Sequence, residues 1–160
     1  MLYVVAWPLL GEADDVALRR LRARYHPGEA ELIGPHFTLV FGRPDEGEAD
    51  LRDALGAVRT RPFWFMIERI VRHERYLYAE PFDGATELTG LHDMLDDGEG
   101  REPFEPHITL GLFDHAAEAE QVARIVERQH LPMRGRVEEL SLVRRDGGDL
   151  RTLQTVKLAN

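Results

Sequence analysis

Apolar positions along this chain switch several times between a two-residue and a three-to-four-residue period, and the switches divide it into short strands and helices. Leu2 to Leu9 reads as a strand. Gly11 and the acidic Glu12-Ala13-Asp14-Asp15 then open a helix with Val16, Leu18, Leu21 and Tyr25 mostly on one side. Its acids come first and its arginines last, as the helix dipole favours, and His26-Pro27-Gly28 ends it. After a break at Gly42-Arg43-Pro44, the spacing of Leu51, Ala54, Leu55 and Val58 predicts a second helix. Phe63 to Val71 and Tyr76 to Phe82 are aromatic and β-branched enough to pair as strands around His73-Glu74-Arg75, and are expected to bridge the two halves of the chain. Leu88, Leu91 and Leu95 mark a third helix. The acidic, glycine-rich Asp96-Asp97-Gly98-Glu99-Gly100 that follows reads as a solvated loop. Asp114 is placed to cap a fourth helix with Val122, Ile125 and Val126 on its buried stripe. Val137 to Arg145 and Leu150 to Leu158, joined at Asp146-Gly147-Gly148, form a hairpin.

Two of the strands carry the same five-residue word. Pro35-His36-Phe37-Thr38-Leu39 and Pro106-His107-Ile108-Thr109-Leu110 both read Pro-His-apolar-Thr-Leu, and each is followed by a helix and then by paired strands. In an extended chain, positions i and i+2 share a face, so each copy presents an imidazole and a hydroxyl together while Phe37, Leu39, Ile108 and Leu110 turn into a core. A lone strand histidine is usually structural, but a duplicated word with identical flanks is a functional signal. No linker divides the chain, and residues 1–160 read as one domain with an internal duplication.

Two His/Thr pairs suit displacement at phosphorus. An unperturbed imidazole titrates near about 6.5, so one histidine can act as base while the other, protonated, acts as acid. The threonine hydroxyls donate to non-bridging phosphate oxygens. No metal or other cofactor is needed. His26, His73, His92, His115 and His130 lack repeated context and show no zinc-ligand spacing. They read as surface or capping residues. A nucleophile elbow, a phosphate-binding Gly-x-x-x-x-Gly-Lys loop and glycosidase-like carboxylate pairs are all absent from the sequence.

The paired His-x-Thr words, the duplication and the short length resemble the 2H phosphoesterase superfamily, which includes 2'-5' RNA ligase-like proteins and cyclic phosphodiesterases of RNA processing. The opening strand and closing hairpin extend the likeness along the chain. The resemblance implies an α+β fold of two pseudo-symmetric lobes, antiparallel sheets with outer helices around a central cleft. It also implies His36, Thr38, His107 and Thr109 as the catalytic set. The activity it implies is opening of a cyclic phosphodiester such as the 2',3'-cyclic phosphate of a nucleotide or RNA end. A 2'-5' RNA ligase is an alternative with the same residues, and a non-catalytic nucleotide- or RNA-binding module is another. Better-known members often carry a basic residue soon after each word. Val40 and Leu112 stand at the neighbouring positions here, which leaves Arg43 and Arg144 as the expected substrate-binding cations.

Composition narrows the partners. The net charge of −9 argues against a surface that grips long nucleic acid non-specifically and favours a nucleotide or an RNA end. Arginine outnumbers lysine nineteen to one, but the arginines are scattered and read as compositional bias; the run Arg19 to Arg24 reads as a solvated helix face. Tyr3, Trp7, Trp64 and Tyr78 lie in apolar strands and read as core or cleft wall, with base stacking as the functional alternative. There is no cysteine and no apolar run of membrane-spanning length. A cytoplasmic monomer is the expectation.

Overall fold

The computed structural model describes residues 1–96 and 103–159, so the acidic loop read from the sequence lies, beyond Asp96, outside the described residues. Strands are β1 (Leu2–Leu10), β2 (Phe37–Arg43), β3 (Phe63–His73), β4 (Tyr76–Pro81), β5 (Ile108–Leu112), β6 (Met133–Asp146) and β7 (Asp149–Lys157). Helices are α1 (Glu12–Tyr25), α2 (Pro27–Leu32), α3 (Glu48–Gly56), α4 (Ala85–Leu95) and α5 (Ala116–His130). The fold is α+β with antiparallel strands throughout. None of the described helices is long and apolar enough to cross a membrane.

Each strand finds its partners through the alternation of its side chains. β1 lies between β2 and β6, β4 between β5 and β3, and β7 runs along β6. β6 is the long strand that joins the lobes. Its residues 135–144 pair with β1, while the opposite edge takes β3 at 133–137 and then β7 at 139–146. The β3–β4 hairpin of the first sequence half thus sits beside the motif strand of the second, bridging the halves as expected. The last contact, Phe37 of β2 against Ile108 of β5, closes the pairings into a ring at the two motif words. Buried faces of both lobes share one core, in which Phe37 meets Phe65 edge-on at 5.1 Å. Gly135 permits that approach, since a Cβ there would collide with the Phe65 ring and with Leu10.

Several local expectations are corrected. Pro27 does more than stop α1: its fixed φ suits the first helical position, and it opens α2. Val16 and Ile125 are exposed at 39% and 44%, and the buried stripe of α5 is Ala119, Val122 and Val126. Val58 lies beyond α3, which ends at Gly56, yet still packs on the core. Asp114 caps nothing; His115 holds the N-cap position, and the Asp114 carboxylate instead accepts a 2.5 Å hydrogen bond from Arg75 in the β3–β4 turn. β6 starts at Met133, ahead of the expected Val137, because Met133, Gly135 and Val137 already alternate with Arg134 and Arg136. At its far end Asp146 pairs with Asp149 across a two-residue Gly147-Gly148 loop with Gly147 at φ +59°.

Candidate active site

The Phe37–Ile108 pairing is the centre of the site. In an antiparallel pair the residues one step to either side also stand opposite each other, so His36 faces Thr109 and Thr38 faces His107. Phe37, Leu39, Ile108 and Leu110 are fully buried on the other face. The alternation expected from the words is present in both strands.

Each histidine is oriented in the same way. His36 Nδ1 is 2.8 Å from the Gly34 carbonyl, and His107 Nδ1 is 2.8 Å from the Glu105 carbonyl. A carbonyl only accepts, so Nδ1 carries the hydrogen in both rings and Nε2 is left to exchange protons. The proline between each pair explains the first letter of the word, because its fixed φ turns the i−2 carbonyl back toward the ring.

Electrostatics then distinguish the two rings. Burial pushes His36 down to about 4, with the Arg22 guanidinium and His107 lowering it further and the Gly34 bond and Glu29 opposing. Burial also lowers His107, but Glu105, through its carbonyl bond and its charge, and Glu80 pull the other way. Tyr78 lies face to face with His107 at 3.7 Å, and His73 stacks behind it at 5.9 Å. Trp7 meets His36 edge-on at 6.3 Å and donates through Nε1 to Ser141.

Arg22, expected on a solvated helix face, is instead buried, at 2% exposure. Its Nη1 donates to the Ile33 carbonyl at 2.8 Å and its Nε to the Thr109 carbonyl at 3.2 Å. One guanidinium therefore ties the segment leading into His36 to the strand carrying Thr109. Its place on α1, four residues after buried Leu18 and three before Tyr25, was the available signal.

The two arginines expected at the substrate are committed elsewhere. Arg43 Nη2 donates to the buried Asp96 carboxylate at 2.7 Å. Arg144 is paired across β1 with Leu2, a core residue, so it projects from the face opposite the histidines and binds Glu48 and Asp45. The next residue, Arg145, projects to the correct face. With His36, Thr38, Tyr3, Ile33, Val143 and others it lines a groove open to solvent, held there by a 3.0 Å ion pair to Glu29. Among the described residues no group of three or more metal-ligating side chains forms. His92 leaves the surface class as well: its Nδ1 bonds the Leu39 carbonyl of the motif strand at 2.7 Å, and its ring stacks on Phe104 at 4.1 Å.

Fold and paired words together define a two-histidine phosphoesterase architecture. The 2'-5' RNA ligase superfamily model matches residues 10–149, and the chain belongs to that family. The crystal structure of E. coli LigT complexed with 3'-AMP is similar at a TM-score of 0.68 and 22% identity, covering 99% of this chain and 98% of that one. LigT complexed with ATP gives 0.67 and 23%, with 99% and 98% covered. Kluyveromyces marxianus Usb1 is more distant, at 0.53 and 11% over 95% and 97% of the two chains. A comparison with curated protein sequences finds no match.

Proposed function

We propose that the protein opens 2',3'-cyclic phosphodiesters at a nucleotide or RNA end without a metal, using His36 as general base and His107 as general acid. The observation that carries this reading is the pair of Nδ1-anchored imidazoles flanking the Phe37–Ile108 contact, each facing the other word's threonine. His36 Nε2, kept neutral by burial, takes the proton from a water as its oxygen bonds to phosphorus. The bond from phosphorus to one ribose oxygen breaks, and His107 Nε2 gives that oxygen its proton. Thr38 and Thr109 donate to the non-bridging oxygens. A phosphomonoester and a free hydroxyl result.

The groove beside His36 supports a nucleoside in the substrate, since Tyr3 and Phe41 meet edge-on at 5.2 Å along an apolar wall with Arg145 at its rim. E. coli LigT has been crystallised with 3'-AMP, ATP and NADP+, which fits the same reading for its relative here. Incubation with 2',3'-cyclic nucleotides, with products identified by phosphorus NMR, tests it. Turnover that survives EDTA and is lost in His36→Ala and His107→Ala is expected. Activity restored to a chelated enzyme by one divalent metal would make the histidines ligands and reject the mechanism.

A further inference from the structure

The face of the sheet that carries His107 continues well past it, and aromatic and charged side chains alternate along it. Along β4 the positions Tyr78 and Glu80 share the face of Thr109, and the alternation runs on to Phe82, whose backbone N–H donates to Met66 of β3 at 2.9 Å. Across the next strands Met66 pairs with Arg134, and Trp64 with Arg136. Phe82 is 75% exposed and Trp64 is 51% exposed, although the core has room for the neighbouring Phe63 and Phe65. Both arginines lie over the indole, at 4.5 Å for Arg134 and 5.4 Å for Arg136.

Aromatic rings set out in water beside guanidinium groups are the components of a single-strand nucleic-acid platform: rings take bases, and the planar cations reach the phosphates between them. The dimensions agree. Strand rise places Phe82 about 13 Å along from Tyr78, and one strand spacing with two further residues adds about 8 Å to Trp64. That distance suits about three extended nucleotides. Charge selects the ligand as well. Arg69 is engaged by Glu80 and Arg136 by Glu138, but among the described residues no carboxylate is ion-paired with Arg134. Arg134 is thus the cation of this strip left to meet a phosphate.

We infer that this face is a track for the nucleotides next to the reacting end of a single-stranded RNA, with Phe82 and Trp64 stacking bases and Arg134 holding a phosphate between them. The inference rests on the proposed function for the position of the end, and makes an oligonucleotide the preferred substrate over a mononucleotide. Part of the aromatic surface seen in the sequence is then neither core nor wall.

Binding of a fluorescent hexaribonucleotide with a 3'-phosphate, a product-like end that is not turned over, tests the track by anisotropy against a nucleoside 3'-phosphate. The oligonucleotide is expected to bind at least about 10-fold tighter. Trp64→Ala should remove most of that advantage, Trp64→Phe should keep it, and Arg134→Gln should reduce its salt dependence, with circular dichroism unchanged because both side chains are on the surface. Turnover of a cyclic mononucleotide by Trp64→Ala should equal that of the wild type. Equal affinity for the two ligands, wild-type oligonucleotide binding by Trp64→Ala, or equal competition by a duplex or an acidic peptide would overturn the track. Trp64-dependent oligonucleotide binding without turnover of any cyclic phosphate would reject the phosphodiesterase reading and leave the track standing.

Discussion

Around His36 the protein closes, and around His107 it stays open. The first ring sits beneath α2, beside an apolar groove and within the field of a buried arginine; the second lies under a tyrosine with two glutamates nearby. The same Pro-His-apolar-Thr-Leu word therefore produces two imidazoles with different proton affinities. Repetition supplies the geometry of a matched pair, and surroundings that are not repeated divide the labour between its members.

The strongest way to break the comparison is to remove one histidine at a time. His36→Ala and His107→Ala should each cost about 10²–10⁴ in kcat on a cyclic phosphate, and the double variant should lose far less than the product of the two. Near-wild-type turnover in either would show that the halves do not work as a pair.

Arg22→Met tests the clamp between them. It leaves the Ile33 and Thr109 carbonyls without their donor inside the protein, so a destabilisation of about 2–4 kcal/mol is expected in urea titrations. Because the guanidinium also lowers His36, the acid limb of kcat/KM should move to higher pH in the variant. An unmoved limb would detach Arg22 from the site's electrostatics.

Thr38→Val and Thr109→Val keep the β-branched shape and remove the donors, so kcat/KM should fall by the equivalent of about 1–3 kcal/mol with folding little changed. Unequal losses would show which threonine faces the developing charge.

The mildest effects concern pH. With His36 near 4 and His107 below its ordinary value of 6.5, kcat/KM should rise as the base is uncovered near pH 4 and fall as the acid loses its proton below pH 6.5, giving an acidic optimum. The same shift has a signature in stability. Between 4 and about 6.5 the unfolded chain binds more protons at this residue than the native one, so stability falls as pH drops through that window. His36→Asn should flatten the fall by about 1–2 kcal/mol in denaturant midpoints measured at pH 7 and pH 4.

Strand order, every helix but α2, the shared face of each His/Thr pair and the closing hairpin were legible because each rests on periodicity within a few residues. Arg144 was not, since its direction depends on the register of β6 against β1, and a slip of one residue exchanges the faces on which Arg144 and Arg145 lie. Arg22 was missed because a cation among other arginines reads as solvated unless the backbone carbonyls that bind it, remote in sequence, are known. The asymmetry of the histidines was equally hidden, for it comes from Tyr78, Glu80 and α2, outside the words themselves.

The pairing of β1 with β6 has a consequence for how the molecule is made. Leu2 is paired with Arg144, so β1 keeps one edge unpaired until about 140 further residues have been made. At about 5–20 residues per second that is a wait of roughly 7–30 seconds. During it the apolar Leu2, Val4 and Ala6 have lost no water to β6, and the groove beside His36 lacks Val143 and Arg145. The groove beside His36 is completed last, when the β6–β7 hairpin arrives.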